Sequence, residues 1–194
     1  NQSISKSALH VTFVSGTSLQ VVYQQKTFQL INIHFHSPSE HTINNEYYSS
    51  EVHMVHKHKE TQQILVISVL LAETTVTHGP NFIDFNPFFV TLRHQCSNNI
   101  HEGIETIFTT SYKQFNPYQS FLPASLSYYT YNGSLTTPPC TEHIQWIVLQ
   151  HIVTITALDI ATIRNIPSIQ KDNILAENGD NNRHPTKELH GRDV

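Results

Sequence analysis

Three histidines in two strand-like segments have the types and spacing of a catalytic metal site. His34 and His36 lie in residues 32–41, where β-branched, aromatic and histidine residues alternate as in a strand. Residues two apart on a strand point to the same face, so these two imidazoles lie side by side. Residues 51–56 are also strand-like and can bring His53 alongside as a third nitrogen ligand. Three histidines leave the fourth position of zinc open, which is typical of a catalytic rather than a structural zinc site.

One His-x-His pair is weak evidence for a metal site, because histidine is common in this chain. The chain has 14 histidines in 194 residues, and chance alone yields about one His-x-His pair at that frequency. His56 and His58 form a second such pair, for which a solvated strand end is the favoured interpretation. The metal hypothesis therefore depends on the residues that accompany His34 and His36.

Composition predicts a single globular domain and argues against two classes of partner. The content of hydrophobic residues, 38%, is enough for a sizeable core in a chain of this length. A net charge of -4 without a basic cluster argues against nucleic acid and against an anionic membrane surface. The longest apolar run, residues 64–72, is too short to span a bilayer. No signal peptide opens the chain, so either one was removed or the sequence begins inside the domain.

Strands dominate the predicted elements. Alternation and flanking turn residues predict strands at residues 9–14, 19–23, 28–35, 51–56, 64–71 and 144–149, with a polar turn at 24–26 and a possible hairpin between 56 and 64. Helical spacing predicts short helices within residues 86–93 and 100–108. A last helix is expected from Thr156, its N-cap, to Asn165, with Asp159 in the first turn.

Several separated motifs resemble the α-class carbonic anhydrases, in the family's order and over nearly the whole chain. They are His34-Phe35-His36, Ser39-Glu40-His41-Thr42, Glu51-Val52-His53-Met54-Val55-His56, Tyr131-Asn132-Gly133-Ser134-Leu135-Thr136-Thr137-Pro138-Pro139-Cys140-Thr141-Glu142, Trp146 and Asn181-Asn182-Arg183. The resemblance implies a mainly β single domain with a large central mixed, mostly antiparallel sheet and short peripheral helices. It also implies a zinc lyase that hydrates carbon dioxide reversibly to bicarbonate and a proton.

The resemblance makes His34, His36 and His53 the zinc ligands and supplies a partner behind each ring. Asn32 stands where the family usually has Gln and would accept from His34, and Glu51 would orient His53. For His36 the family uses a backbone carbonyl that corresponds to Asn181. Partners of this kind fix the tautomer and orientation of ligating imidazoles.

The resemblance also implies a gate and an apolar pocket. Thr136 would donate a hydrogen bond to Glu40 and accept one from the attacking nucleophile, which aims that nucleophile at the substrate. The pocket residues implied are Val55, Val66, Leu135, Thr137, Ile144 and Trp146. The partner is then a small molecule, carbon dioxide or bicarbonate, and the resemblance favours a secreted or organelle-lumenal location.

Three departures from the family pattern affect these expectations. An N-terminal segment of the family is absent, so residues 1–194 are expected to be an N-terminally incomplete domain. Ser7 occupies the position where fast members carry a proton-shuttling histidine, and His10 is an alternative proton relay. Cys140 aligns with a cysteine that bonds into the missing segment in secreted members, and Cys96 is a possible substitute partner.

Two other functions remain open on the sequence. The same fold can serve as a non-catalytic structural, storage or binding module. A zinc esterase would use the same nucleophile and differ only in its substrate.

Overall fold

Ten strands and two helices make up the described part of the chain. The computed structural model describes residues 10–12, 19–85, 88–89, 116–137 and 139–165. The strands are β1 (His10–Thr12), β2 (Gln20–Tyr23), β3 (Lys26–His36), β4 (Thr42–Ile43), β5 (Glu46–Tyr47), β6 (Ser50–His58), β7 (Ile64–Thr74), β8 (Tyr128–Ser134), β9 (Glu142–Leu149) and β10 (Val153–Thr156). The helices are α1 (Pro117–Phe121) and α2 (Ala157–Asn165).

Eight of these strands form one mixed sheet, and six of the eight follow the order β1-β3-β6-β7-β9-β8. β2 pairs with β3, and β10 pairs with β7 in parallel. The pairing of β7 with β9 is also parallel, whereas the other pairings in this sheet are antiparallel. β4 and β5 form a separate two-stranded ribbon. The protein is therefore mainly β around a large mixed central sheet, as its sequence predicts.

The β2–β3 hairpin forms at the predicted polar turn. Gln24 and Gln25 have φ values of 47° and 62°, so both central residues lie in the left-handed region. Two such residues in succession make a turn whose twist matches that of paired strands. This turn fixes the start of β3 and hence the position of its histidines along the sheet.

One face of the sheet is buried beneath a large apolar core. Alternate residues of β3, β6 and β7 enter it, including Phe35, Met54 and Ile67. Phe35 lies between the two histidines of the His-x-His pair. Its ring contacts those of Phe88, Phe89 and Phe121 at centroid distances of 5.9, 6.0 and 5.8 Å. These ring contacts stabilise the strand on the face opposite His34 and His36.

The strand predictions at 19–23, 28–35, 51–56, 64–71 and 144–149 are confirmed. Within the predicted strand 9–14, the structure describes β1. The helix predicted from Thr156 is confirmed, because the Thr156 hydroxyl accepts from the backbone N–H of Asp159 at 3.1 Å and Asp159 accepts from the backbone N–H of Thr156 at 3.3 Å. Of residues 86–93 only Phe88 and Phe89 are described, in helical conformation, and residues 100–108 lie outside the described part.

One helix and four strands have no counterpart in the sequence predictions. They are α1, β8, β10 and the β4–β5 ribbon. α1 begins at Pro117 and is capped by Asn116, whose side chain accepts from the backbone N–H of Tyr118 at 3.0 Å. A Pro preceded by an Asn cap is a helix-start signal, so α1 could have been found from these two residues.

Candidate metal centre

The register between β3 and β6 brings the three predicted ligands together. The two strands are antiparallel neighbours, with His34 opposite His53 and His36 opposite Glu51. Residues directly opposite each other in an antiparallel pair share a face, with Cβ atoms about 4.5–5.5 Å apart. His34, His36 and His53 therefore form one cluster on one face of the sheet.

A bulge after Leu30 determines which face that is. Leu30 is in the main core, yet beyond the bulge the core residues of β3 are the odd-numbered Ile33 and Phe35. One extra residue in a strand shifts its alternation by one position. His34 and His36 are thereby turned to the face opposite the main core.

The imidazole nitrogens have the spacing of a metal site. One ring nitrogen from each of His34, His36 and His53 lies within 4.8 Å of the others. His34 Nε2 and His53 Nδ1 are 3.2 Å apart. Two nitrogens held at about 2.0–2.1 Å by a tetrahedral zinc ion are about 3.3–3.4 Å apart. These residues therefore fit zinc without rearrangement of the strands.

Hydrogen bonds behind two of the rings leave the converging nitrogens available. His34 Nδ1 donates to Asn32 Oδ1 at 3.0 Å, so the lone pair of the neutral ring is on Nε2. His53 Nε2 donates to Glu51 Oε1 at 2.6 Å, so the lone pair of that ring is on Nδ1. Nε2 of His34 and Nδ1 of His53 are the two atoms that face each other at 3.2 Å.

Glu51 accepts more hydrogen bonds than the single one from His53 that the sequence analysis predicts. Its Oε1 accepts from the ring nitrogens of His53 and His41 and, at 2.5 Å, from the Ser68 hydroxyl. Its Oε2 accepts from the backbone N–H groups of Glu40 at 2.7 Å and His41 at 2.8 Å. The carboxyl group is fully buried, and these donors compensate for its loss of water.

Burial and the charges of this network shift the pKa values of three residues. Burial raises the pKa of Glu51, but His41 and His53 outweigh it and hold that pKa well below its usual range. Burial lowers the pKa of His53, despite the opposing charge of Glu51. Burial also acts to lower the pKa of His41, but the charge of Glu51 outweighs it and raises that pKa. His53 is therefore held neutral, the form in which it can bind a metal.

His41 is a site residue to which the sequence analysis assigned no role. Its Nδ1 donates to Glu51 at 2.5 Å, and its Nε2 lies 2.6 Å from the Tyr131 hydroxyl. His41, Glu51 and His53 also lie close enough to hold a metal. Glu51 Oε1 already accepts from both rings and from Ser68, so we interpret this second group as a hydrogen-bond network.

Of the two predicted gate residues, Glu40 lies beside the cluster. Glu40 is buried, and its Oε1 is 3.4 Å from His36 Nδ1. Thr136 and Thr137 are half-buried in the loop between β8 and β9, which is closed by a hydrogen bond from Leu135 N to the Thr141 carbonyl at 2.9 Å. Asn181, the predicted partner of His36, lies outside the described residues. The hydrogen bond between Thr136 and Glu40 remains a prediction.

The predicted pocket wall forms a second apolar cluster on the metal-site face of the sheet. Val55, Val66, Ile144 and Trp146 are its buried members, with Leu135 packed against them. Trp146 contacts the rings of His53 and His41 edge to face, at centroid distances of 4.9 and 5.0 Å. Of the pocket residues predicted, Thr137 is not a member of this apolar cluster and contributes a half-buried position in the adjoining loop.

Of the two proton-relay candidates, His10 is among the described residues and Ser7 is not. His10 lies in β1 and is paired with His34 of β3 in the strand register. Ser7 lies outside the described residues, as does Cys96. Cys140 is exposed and is a free thiol in the described part of the chain.

His56 corrects one sequence prediction. The pair His56 and His58 was interpreted as a solvated strand end, but His56 is fully buried on the face opposite the metal cluster. Its Nε2 lies 2.9 Å from the Tyr118 hydroxyl, and the two rings are stacked with an interplanar angle of 8°. The prediction was wrong because α1, which carries Tyr118, was not predicted and covers this strand end.

His56 is expected to make folding stability depend on pH in mild acid. Burial lowers its pKa to about 4 from the ordinary 6.5, although the carbonyls of Leu65 and Met54 oppose the shift. The unfolded chain therefore binds more protons between about pH 6.5 and 4, and stability falls as the pH is lowered through that window. A shift of this size corresponds to about 3 kcal/mol, as an order of magnitude.

Urea unfolding of wild type and His56→Phe at a series of pH values measures this contribution. The unfolding free energy of the wild type minus that of His56→Phe should rise by about 3 kcal/mol as the pH is raised from 4 to 6.5, because only the wild type has the buried imidazole. Other acidic groups cancel in the difference because both proteins contain them. Parallel pH profiles would contradict the assignment.

No helix in the described part of the chain is long and apolar enough to cross a membrane.

The chain is similar to proteins of known families and structures. Residues 3–194 match the model of the eukaryotic-type carbonic anhydrase family. A carbonic anhydrase of Pectobacterium atrosepticum is 34% identical over 152 residues, which cover 78% of this chain and 55% of that protein. Dioscorin DB3L of Dioscorea polystachya is 30% identical over 184 residues, which cover 95% of this chain and 60% of that protein. The chain thus spans less than two thirds of the length of these relatives.

Solved structures give the same result for the fold. The crystal structure of dioscorin complexed with ascorbate matches with a TM-score of 0.72 and 26% identity, over 97% of this chain and 70% of that one. The α-carbonic anhydrase of Thermovibrio ammonificans, in complex with the inhibitor sulfanilamide, matches with a TM-score of 0.67 and 27% identity, over 97% of this chain and 74% of that one.

Proposed function

Because the chain belongs to the eukaryotic-type carbonic anhydrase family, we propose that it binds one zinc ion through His34, His36 and His53 and hydrates carbon dioxide reversibly. The observation that carries the proposal is the convergence of three imidazole nitrogens within 4.8 Å, two of them with hydrogen-bonded partners behind them. The products are bicarbonate and a proton.

When bound, zinc acts as a Lewis acid that activates water as a nucleophile at neutral pH, a role for which carbonic anhydrase is itself the standard example. The chain's own residues prepare the site for this chemistry. Asn32 and Glu51 orient the rings of His34 and His53, so the ring nitrogens that carry the lone pairs converge. Because these rings are oriented before the ion binds, binding costs less free energy.

The apolar cluster beside the histidines supports a small, nonpolar substrate. Val55, Val66, Ile144 and Trp146 offer no charged group to a ligand, and carbon dioxide needs none. Such a wall also keeps bulk water from competing for the reacting position. Thr136 and Glu40 are proposed as the gate that orients the nucleophile towards this wall.

A zinc analysis and a carbon dioxide hydration assay on the purified chain test the proposal. We expect about one zinc ion per chain and hydration that a chelator abolishes and added zinc restores. Thr136→Ala should keep its zinc and lose about 100-fold in rate, since misplaced reacting groups cost that much. Thr141→Ala, an exposed position in the same loop, is the matched control and should behave as wild type.

A second candidate function is a small-molecule binding module without catalysis. The similarity to the dioscorin structure in complex with ascorbate motivates it. Zinc binding without hydration, together with saturable ascorbate binding, would favour this function. Full hydration activity that ascorbate does not alter would exclude it.

A further inference from the structure

Gly133 lies where two aromatic rings of the candidate site meet the backbone of β8. It is opposite Ile144 of β9, and two residues from Tyr131 on the same strand. Tyr131 is opposite Trp146, and their rings are parallel within 7° with centroids 6.2 Å apart. Residues two apart on a strand share a face, so the absent side chain of Gly133 leaves room beneath this ring pair.

A side chain at this position has no room. A Cβ atom on Gly133 would lie 2.8 Å from Cε2 of Tyr131, and 3.2 and 3.4 Å from Cδ1 and Nε1 of Trp146. The first distance is shorter than real Cβ contacts, so at least one ring would have to move. The φ of Gly133 is outside the left-handed region, so the backbone itself would accept alanine. The requirement for glycine comes from the two rings alone.

Either ring can move only at the expense of a contact with the metal-site network. Trp146 Nε1 donates to the Ser134 carbonyl at 3.1 Å, and its ring lies 4.9 Å from that of His53. The Tyr131 hydroxyl is 2.6 Å from His41 Nε2, and His41 in turn donates to Glu51. A shift of the indole would displace the ring of His53 directly. A shift of the phenol would act on His53 through the hydrogen bonds of His41 and Glu51.

We propose that Gly133 is a positioning residue of the site: the absence of its side chain sets where Trp146 and Tyr131 stand, and thereby the width of the pocket beside His53. This inference rests on the proposed function for its link to catalysis, whereas its structural part does not. Gly133 touches neither substrate nor metal and acts through the two rings.

Gly133→Ala is the direct test, in the zinc-loaded full chain. Displacement of a ring by a few tenths of an ångström is expected to lower kcat/KM about tenfold, less than the about 100-fold cost of a 1 Å misplacement. Zinc stoichiometry should stay at one per chain. Trp146 is the single tryptophan, so a change in the tryptophan emission spectrum reports its displacement directly. Asn132→Ala, an exposed neighbour on the same strand, is the control and should leave both readouts unchanged.

Double-mutant cycles separate positioning from a general loss of structure. If Gly133 acts through the rings, its effects on unfolding free energy and on kcat/KM will be non-additive with Trp146→Phe, which shrinks one ring, or with Tyr131→Phe, which frees the other from His41. Additivity with both variants, or an unchanged emission spectrum in Gly133→Ala, overturns the proposal. If the wild type shows no hydration, the proposed function fails, while the emission spectra and unfolding cycles still decide the structural part.

Discussion

His53→Ala is expected to lose zinc binding, whereas His58→Ala is expected to keep it. His53 supplies one of three converging nitrogens, and its Nδ1 is 3.2 Å from His34 Nε2. The loss of a partner behind a ligand already costs about 10–100-fold in metal affinity, so the loss of the ligand itself should cost more. Zinc titration against a competing chelator measures both variants.

His58 is a close control because it lies on the same strand as His53 and is itself partly buried. Its Nδ1 accepts from Thr61 N at 3.1 Å, and it contacts the ring of Phe28, on the core side of the sheet. It has no contact with the metal cluster among the residues that the structure describes. Equal losses of zinc affinity in the two variants would refute the ligand assignment.

Glu51→Gln is expected to weaken both folding and zinc binding. The carboxylate accepts two imidazole N–H groups, one hydroxyl and two backbone N–H groups in a fully buried position. An amide of the same size turns one acceptor into a donor that faces other donors. Breaking a buried charged network of this kind costs about 3–5 kcal/mol, and loss of the orienting group costs about 10–100-fold in metal affinity.

Urea unfolding of the metal-free protein and chelator competition measure these two effects separately. Glu73→Gln, an exposed carboxylate on β7, is the matched control and should change neither quantity. Unchanged stability of Glu51→Gln would mean that the buried network contributes no net free energy to folding. Unchanged zinc affinity would mean that His53 is oriented by its packing against Trp146 alone.

Local patterns were sufficient to predict the two strands that carry the candidate ligands. Alternation in residues 28–35 and 51–56 marks strands, and a strand places His34 and His36 on one face whatever it later pairs with. The expected partners Asn32 and Glu51 were also accessible, because each stands two residues before its histidine on the same face.

The sequence analysis did not predict the bulge in β3. Without the shift after Leu30, Leu30 and His34 would share a face, and either the core or the metal cluster would be lost. The alternation changes phase at this point, since apolar residues stand at positions 28 and 30 and then at 31, 33 and 35, but the sequence analysis did not interpret that change as a bulge. The bulge is stabilised by the burial of apolar residues from distant strands, which a local pattern does not contain.

The sequence by itself determined that this protein is a mainly β domain with His34 and His36 on one strand face, since a two-residue period is a property of each strand alone, whereas the pairing of β3 with β6 brings His53 beside them. Tertiary structure decided the rest of the site. His41 reaches Glu51 and Tyr131 across ten and 90 residues of chain, Gly133 lies beneath rings from two strands, and His56 is buried by a helix. These contacts depend on strand register and on the packing of distant segments, both of which are set only when the whole sheet assembles.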